Sequence, residues 1–159
     1  MDAGDFRTRM CREERYRFRV SFDNDRIEDI FLDEPEPLGK GEYPNAGKIL
    51  AAAVGNCLCA SMVFCMERSR GEVSNLCAEV TTTMERNERG RLRITHMSVK
   101  MFPQIDDDAR YRRCREIFED FCIVTQSVRD GIPIDVEVFP YRPREDAPDG
   151  APEGRSDGS

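Results

Sequence analysis

Residues 49–66, ILAAAVGNCLCASMVFCM, contain no charged side chain and no proline. The Ala, Leu and Met content favours helix over strand. Such a helix is apolar on nearly every face, so it belongs at the centre of a fold rather than on its surface. A membrane would also bury it, but the run sits at the low edge of spanning length and carries Gly55, Asn56 and Ser61. No second run of this kind occurs. The expectation is therefore a buried core helix with no membrane contact. Asn45 is its candidate N-cap, and Gly71 its candidate C-cap. The Gly55-Asn56 step is expected to loosen or kink it.

The flanking segments supply what could surround that helix. Tyr16, Phe18, Val20 and Phe22 alternate with Arg17, Arg19 and Ser21, the period of a half-buried strand. With residues 26–32 this makes a hairpin, followed by a Pro- and Gly-rich loop over 33–45. Residues 76–85 and 91–102 form a second hairpin around a loop containing Gly90. Its apolar phase changes from Leu92 and Ile94 to Met97, Val99 and Met101. A bulge near Thr95-His96 would restore one face. The acidic run at 106–108 opens a helix with a Cys114, Ile117, Phe118 and Phe121 stripe. A further helical stretch runs over 122–129 and stops at Asp130-Gly131. Ile132, Ile134, Val136 and Val138 then alternate as a final strand. The predicted order is ββ-α-ββ-αα-β, an α+β domain with antiparallel sheets around the central helix. Residues 1–14 lack an apolar period and 142–159 are acidic and rich in Pro and Gly, so both are expected to be disordered tails around a domain at 15–141.

Charge and cysteine content narrow the function. The formal net charge of −7 opposes nucleic-acid binding, which needs a basic surface. No apolar leader begins the chain, so a reducing cytoplasm is expected, where seven cysteines point to reactive thiols, metal ligands or buried packing rather than a disulfide scaffold. Cys57-Leu-Cys59 has no second close pair and His96 is the one histidine, which disfavours zinc and hydrolase chemistry. No phosphate-binding glycine motif occurs. Cys65, Cys77 and Cys114 read as small buried hydrophobes, and Cys11 falls in the N-terminal tail. Met62, Phe64 and Met66 read as core. Two cysteines have distinctive contexts. Cys57 follows the Gly55-Asn56 step, and Cys122 lies where a new helix N-terminus would stabilise a thiolate.

With these residues in view, the segment KILAAAVGNC ending at Cys57, with Pro44-Asn45 as its lead-in, resembles the first-cysteine helix of the OsmC/Ohr family. FCIVTQS around Cys122, followed by GIPIDVEV from Gly131, is similar to that family's second-cysteine helix and last strand. The resemblance implies an intertwined homodimer and a thiol peroxidase acting on hydroperoxides, chiefly organic ones. It assigns Cys57 as the peroxidatic and Cys122 as the resolving cysteine. It further implies an external dithiol reductant, such as a dihydrolipoyl protein, and no bound cofactor. Family peroxidases pair an early-helix Glu with an Arg from the N-terminal sheet. Gly47 stands where that Glu is expected, leaving Glu42 as a substitute. Arg17, Arg19 and Arg26 are candidates for the Arg, with Arg19 preferred. Ile123 replaces the usual proline after the second cysteine. These departures keep open a second reading, a non-catalytic protein of the same fold that binds a small ligand or senses redox state.

Overall fold

A computed structural model describes residues 4–105 and 107–139. Its elements run β1 (Thr8–Glu14), β2 (Arg17–Phe22), β3 (Ile30–Leu32), α1 (Ala46–Arg68), β4 (Val73–Arg86), β5 (Leu92–Ile105), α2 (Asp108–Ile117), a 3-10 turn (Phe118–Phe121) and α3 (Ile123–Asp130). The expected α+β class holds, with two antiparallel sheets: three strands in the order β1-β2-β3, and the β4-β5 hairpin.

The apolar run lies inside α1, which continues unbroken through Gly55-Asn56. The expected kink is absent because Gly55 serves packing instead. A Cβ there would meet Val80 Cγ2 of β4 at 2.9 Å, so glycine lets helix and strand approach closely. Asn45 caps the helix as expected, its side chain accepting the Lys48 amide at 3.1 Å. At the other end Ser69, rather than Gly71, is the cap, and Arg70 takes the left-handed conformation with φ of 60°. By length and composition α1 is the one helix among the described residues that could cross a membrane. Here it forms the core. Val54, Leu58, Met62, Cys65 and Met66 meet Cys114, Phe118 and Cys122 from the following helices. Leu76 of β4 and Met97, Val99 and Met101 of β5 flank them. Met66 is fully buried. Met66→Ala is expected to cost about 2–5 kcal/mol of stability, read as a lower midpoint in urea unfolding.

The β4-β5 register carries the expected bulge. Thr83 faces His96 and Met84 faces Ile94, so Thr95 is the extra residue. The hairpin is longer than its alternation suggested, and β5 runs through Pro103. With only one neighbouring strand, β5 has an edge at which proline's missing N–H costs no ladder bond.

Two expectations about the termini are corrected. Residues 8–14, read as tail, form β1 and pair with β2, with Cys11 opposite Arg19. An apolar period was not required, because the alternating charges are complementary: Arg17 bridges Glu13 at 3.3 Å and Glu14 at 3.2 Å. Conversely, residues 132–138 form no strand within the protomer. Ile134, Val136 and Val138 are 82%, 78% and 83% exposed. The alternation is present, but the segment pairs with no strand of its own protomer. The second strand of the first hairpin is also shorter than read, only Ile30–Leu32. The expected disordered tail at 142–159 lies outside the described residues.

Candidate active site: a cysteine pair at a helix N-terminus

α1 carries Cys57 on the side turned toward the start of α3. Cys122 is the residue that caps α3, with φ −86° and ψ 95°, so the backbone turns there and the helix restarts. The N-terminus expected at Cys122 is therefore present. The two thiols lie close enough for each to shift the other's titration. The amides of Val124 and Thr125, left without intrahelical partners at the start of α3, act on Cys57. Cys122 Sγ lies 2.9 Å from Thr125 Oγ1 and also bonds Ser61. Cys122 is fully buried and Cys57 half-buried, so approach from solvent favours Cys57.

Electrostatics divide the pair. Burial pushes the Cys57 thiol above its ordinary value, and the neighbouring Cys122 sulfur pushes it further, against the pull of the two amides. Burial acts upward on Cys122 as well. Its hydrogen bonds from Cys57, Thr125 and Ser61 outweigh that and bring it below its ordinary value. The two directions are opposed, so a thiolate in this pair is favoured on Cys122 over Cys57. Cys122→Ser removes that charge, so the Cys57 thiol should titrate at lower pH and alkylate faster near neutrality. Peptide-resolved iodoacetamide rates across pH check this; an unchanged Cys57 profile would contradict it.

Ser61 and Thr125 were not singled out from the sequence. Their signal was spacing alone: Ser61 is four residues after Cys57 and Thr125 three after Cys122, each on its cysteine's helical face.

The other candidates fall elsewhere. Arg19 lies on β2, where Glu13 at 3.5 Å and Asp29 at 3.9 Å engage its guanidinium. Glu42 borders a small pocket with Arg17, Asp33 and Lys40. Neither acts on the Cys57 sulfur within the protomer. Their absence follows from topology, since the first sheet packs mainly on itself whereas α1 packs on β4 and the later helices. Nor is Gly47 imposed by crowding, because a Cβ there would make ordinary contacts with Asn45 and Ile94. Cys59 borders the groove between α1 and β4, with Gly55 and Val80, away from Cys122. Cys65 and Cys114, read as inert hydrophobes, are joined in a disulfide. Next to Thr125, but lined by neither cysteine, an open cavity of about 650 Å³ is bordered by Val54, Leu58, Met97 and Phe118 and by the polar His96, Glu119 and Arg129. Met62 and Met66 are core as read, whereas Phe64 is exposed and meets Phe121 edge-on.

A cysteine on a buried central helix, set beside a second cysteine capping a later helix, defines a two-cysteine α+β domain. Within that class the chain belongs to the OsmC-like protein family, whose model matches residues 39–137. An OsmC-like protein of unknown function from Vibrio cholerae superposes with a TM-score of 0.68 at 11% identity, over 79% of this chain and 94% of that one. An OsmC-like protein from Mycoplasma pneumoniae gives 0.67 at 14% identity, over 81% and 89%. The organic hydroperoxide resistance protein of Bacillus subtilis gives 0.56 at 15% identity, over 79% and 91%. No curated protein sequence matches the chain.

Proposed function

We propose that the chain is a cysteine-based hydroperoxide reductase of OsmC type, cytoplasmic and homodimeric. The observation that carries this reading is the placement of Cys57 beside Cys122 at the N-terminus of α3, near enough that each thiol acts on the other. Cys122 thiolate takes the Cys57 proton. Cys57 thiolate then attacks the peroxide O–O bond, the bond breaks, and the alkoxide leaves and is protonated to the alcohol. Cys57 is now a sulfenic acid. Cys122, returned to thiolate, attacks that sulfur, forming the disulfide and expelling hydroxide. An external dithiol reduces the disulfide by exchange and is itself oxidised. The cavity beside Thr125 has an apolar wall of Val54, Leu58, Met97 and Phe118 that would take the hydrocarbon part of an organic peroxide, alongside the polar His96, Glu119 and Arg129. The dimer would use the unpaired 132–138 segment as a strand added to the partner's sheet, covering apolar side chains that one chain leaves exposed.

The test is steady consumption of cumene hydroperoxide with dihydrolipoamide, alongside mapping of the oxidised protein. A Cys57–Cys122 disulfide and turnover with the dithiol are expected; peroxide loss no faster than without protein would overturn the reading. A second reading is favoured by Gly47 and by the separation of Arg19 and Glu42 from Cys57 within the protomer. On it the pair senses redox state, or the cavity binds a small ligand, without turnover. It predicts a ligand-dependent rise in melting temperature and at most one equivalent of peroxide consumed.

A further inference from the structure

The Cys65–Cys114 disulfide joins the last turns of α1 to the middle of α2. It lies two turns along α1 from Cys57, about 12 Å of helix. Both residues are nearly inaccessible as whole side chains, yet both border an open pocket of about 210 Å³. Arg68 and Arg113 flank this pocket, Ser69 sits beside the sulfurs, and Ile117 and Phe121 complete its wall. Arg68 is held over the Phe64 ring, 5.6 Å from its centre. Glu72 aside, no described carboxylate forms an ion pair with Arg68 or Arg113. Two guanidinium groups beside a disulfide attract negative charge to it. Ser69 Oγ donates to the Cys65 carbonyl at 2.7 Å and lies 3.4 Å from Cys114 Sγ, so rotation of its hydroxyl would turn the proton to a thiolate there.

We infer that Cys65–Cys114 is a thiol–disulfide exchange site for a small thiol bearing carboxylates, distinct from the Cys57–Cys122 pair. The incoming thiolate attacks Cys65 Sγ, Cys65 being the less deeply buried residue of the two. The Cys65–Cys114 bond breaks, and Cys114 leaves with the electron pair as a thiolate hydrogen-bonded by Ser69. A second thiolate attacks the mixed disulfide at the small-thiol sulfur, forming the small-molecule disulfide and releasing Cys65 thiolate. Both cysteines then take protons from water. Two small thiols are oxidised to one disulfide, and the protein disulfide is reduced to a dithiol. Carboxylates on the thiol pair with Arg68 and Arg113 while its sulfur enters between them.

The experiment exposes the oxidised, full-length protein to glutathione, 2-mercaptoethanol or cysteamine: an anionic, a neutral and a cationic thiol. Free thiols are quenched with iodoacetamide, and the peptides carrying Cys65 and Cys114 are followed by mass spectrometry. Rates are compared per thiolate, since the thiolate is the attacking species. Glutathione is expected to exceed cysteamine by about tenfold, with the mixed disulfide on Cys65. Arg68→Gln with Arg113→Gln should bring the two rates within about twofold. Equal rates in the unaltered protein, an unchanged ratio in the variant, or no reduction of the folded protein by any of the three would overturn the inference. Glutathione on Cys114 would overturn the direction of attack. Because the readout is the Cys65 and Cys114 peptides, the result is independent of peroxide turnover.

Discussion

Cys57→Ser is expected to lower dithiol-dependent hydroperoxide consumption by roughly a thousandfold or more. A hydroxyl cannot replace the thiolate as nucleophile at neutral pH, and Cys122, the other sulfur of the pair, is fully buried. Cys122→Ser should behave differently. Cys57 remains accessible, and loss of the neighbouring negative charge favours its own thiolate. With solvent taking the Cys57 proton in place of Cys122, that variant should consume one equivalent of peroxide and then stall as a sulfenic acid, which dimedone would label at Cys57. Stopped-flow single turnover and steady-state assays separate the two cases. If Cys57→Ser turns over as the unaltered protein does, Cys57 is not the nucleophile. If it fails while Cys122→Ser also gives no first equivalent, Cys122 is needed for the attack itself, as the base that takes the Cys57 proton.

The parts of this fold legible in the sequence are those set by local rules. Asn45 as a cap, the Thr95 bulge and the restart at Cys122 each follow from hydrogen bonds or periodicity within a few residues. Asp107 likewise caps α2 by accepting the amides of Ala109 and Arg110. What escaped depends on contacts between distant segments. β1 was missed because its partner's charges, not an apolar face, make it pair. Gly55 was read as a local weakness because Val80, which needs its small volume, is on another element. The Cys65–Cys114 bond has the same origin: 49 residues separate its ends, and nothing in either flank announces the other. The Cys57–Cys122 pairing was accessible through family resemblance, but not its proton distribution, which Ser61 and Thr125 tune from outside both motifs.

Ile134→Asp with Val136→Asp is expected to dissociate the proposed dimer. The segment after Gly131 has the alternation of a strand, with Ile132, Ile134, Val136 and Val138 in phase, yet all four are largely exposed in the single chain. The unpaired hairpin edges and the exposed Met84, Leu92 and Phe102 offer similar apolar surface elsewhere on the protomer. Adding the segment to a second copy's sheet would satisfy its backbone amides and carbonyls and bury its apolar side chains together. Burying a Val or Ile side chain contributes about 1.5–3 kcal/mol, so losing two removes about 3–6 kcal/mol even before a buried carboxylate is counted. The dimer dissociation constant should therefore rise by roughly 10² to 10⁴. Sedimentation velocity at micromolar protein reads this directly, and circular dichroism checks that α1 and the hairpin persist. A matched pair of substitutions on the alternate positions, Asp135→Asn with Glu137→Gln, should leave the dimer intact, because those side chains belong to the other face of the strand. A dimer that survives both aspartates would mean that the segment is not its interface, and equal disruption by both pairs would mean that no strand-like alternation is being recognised.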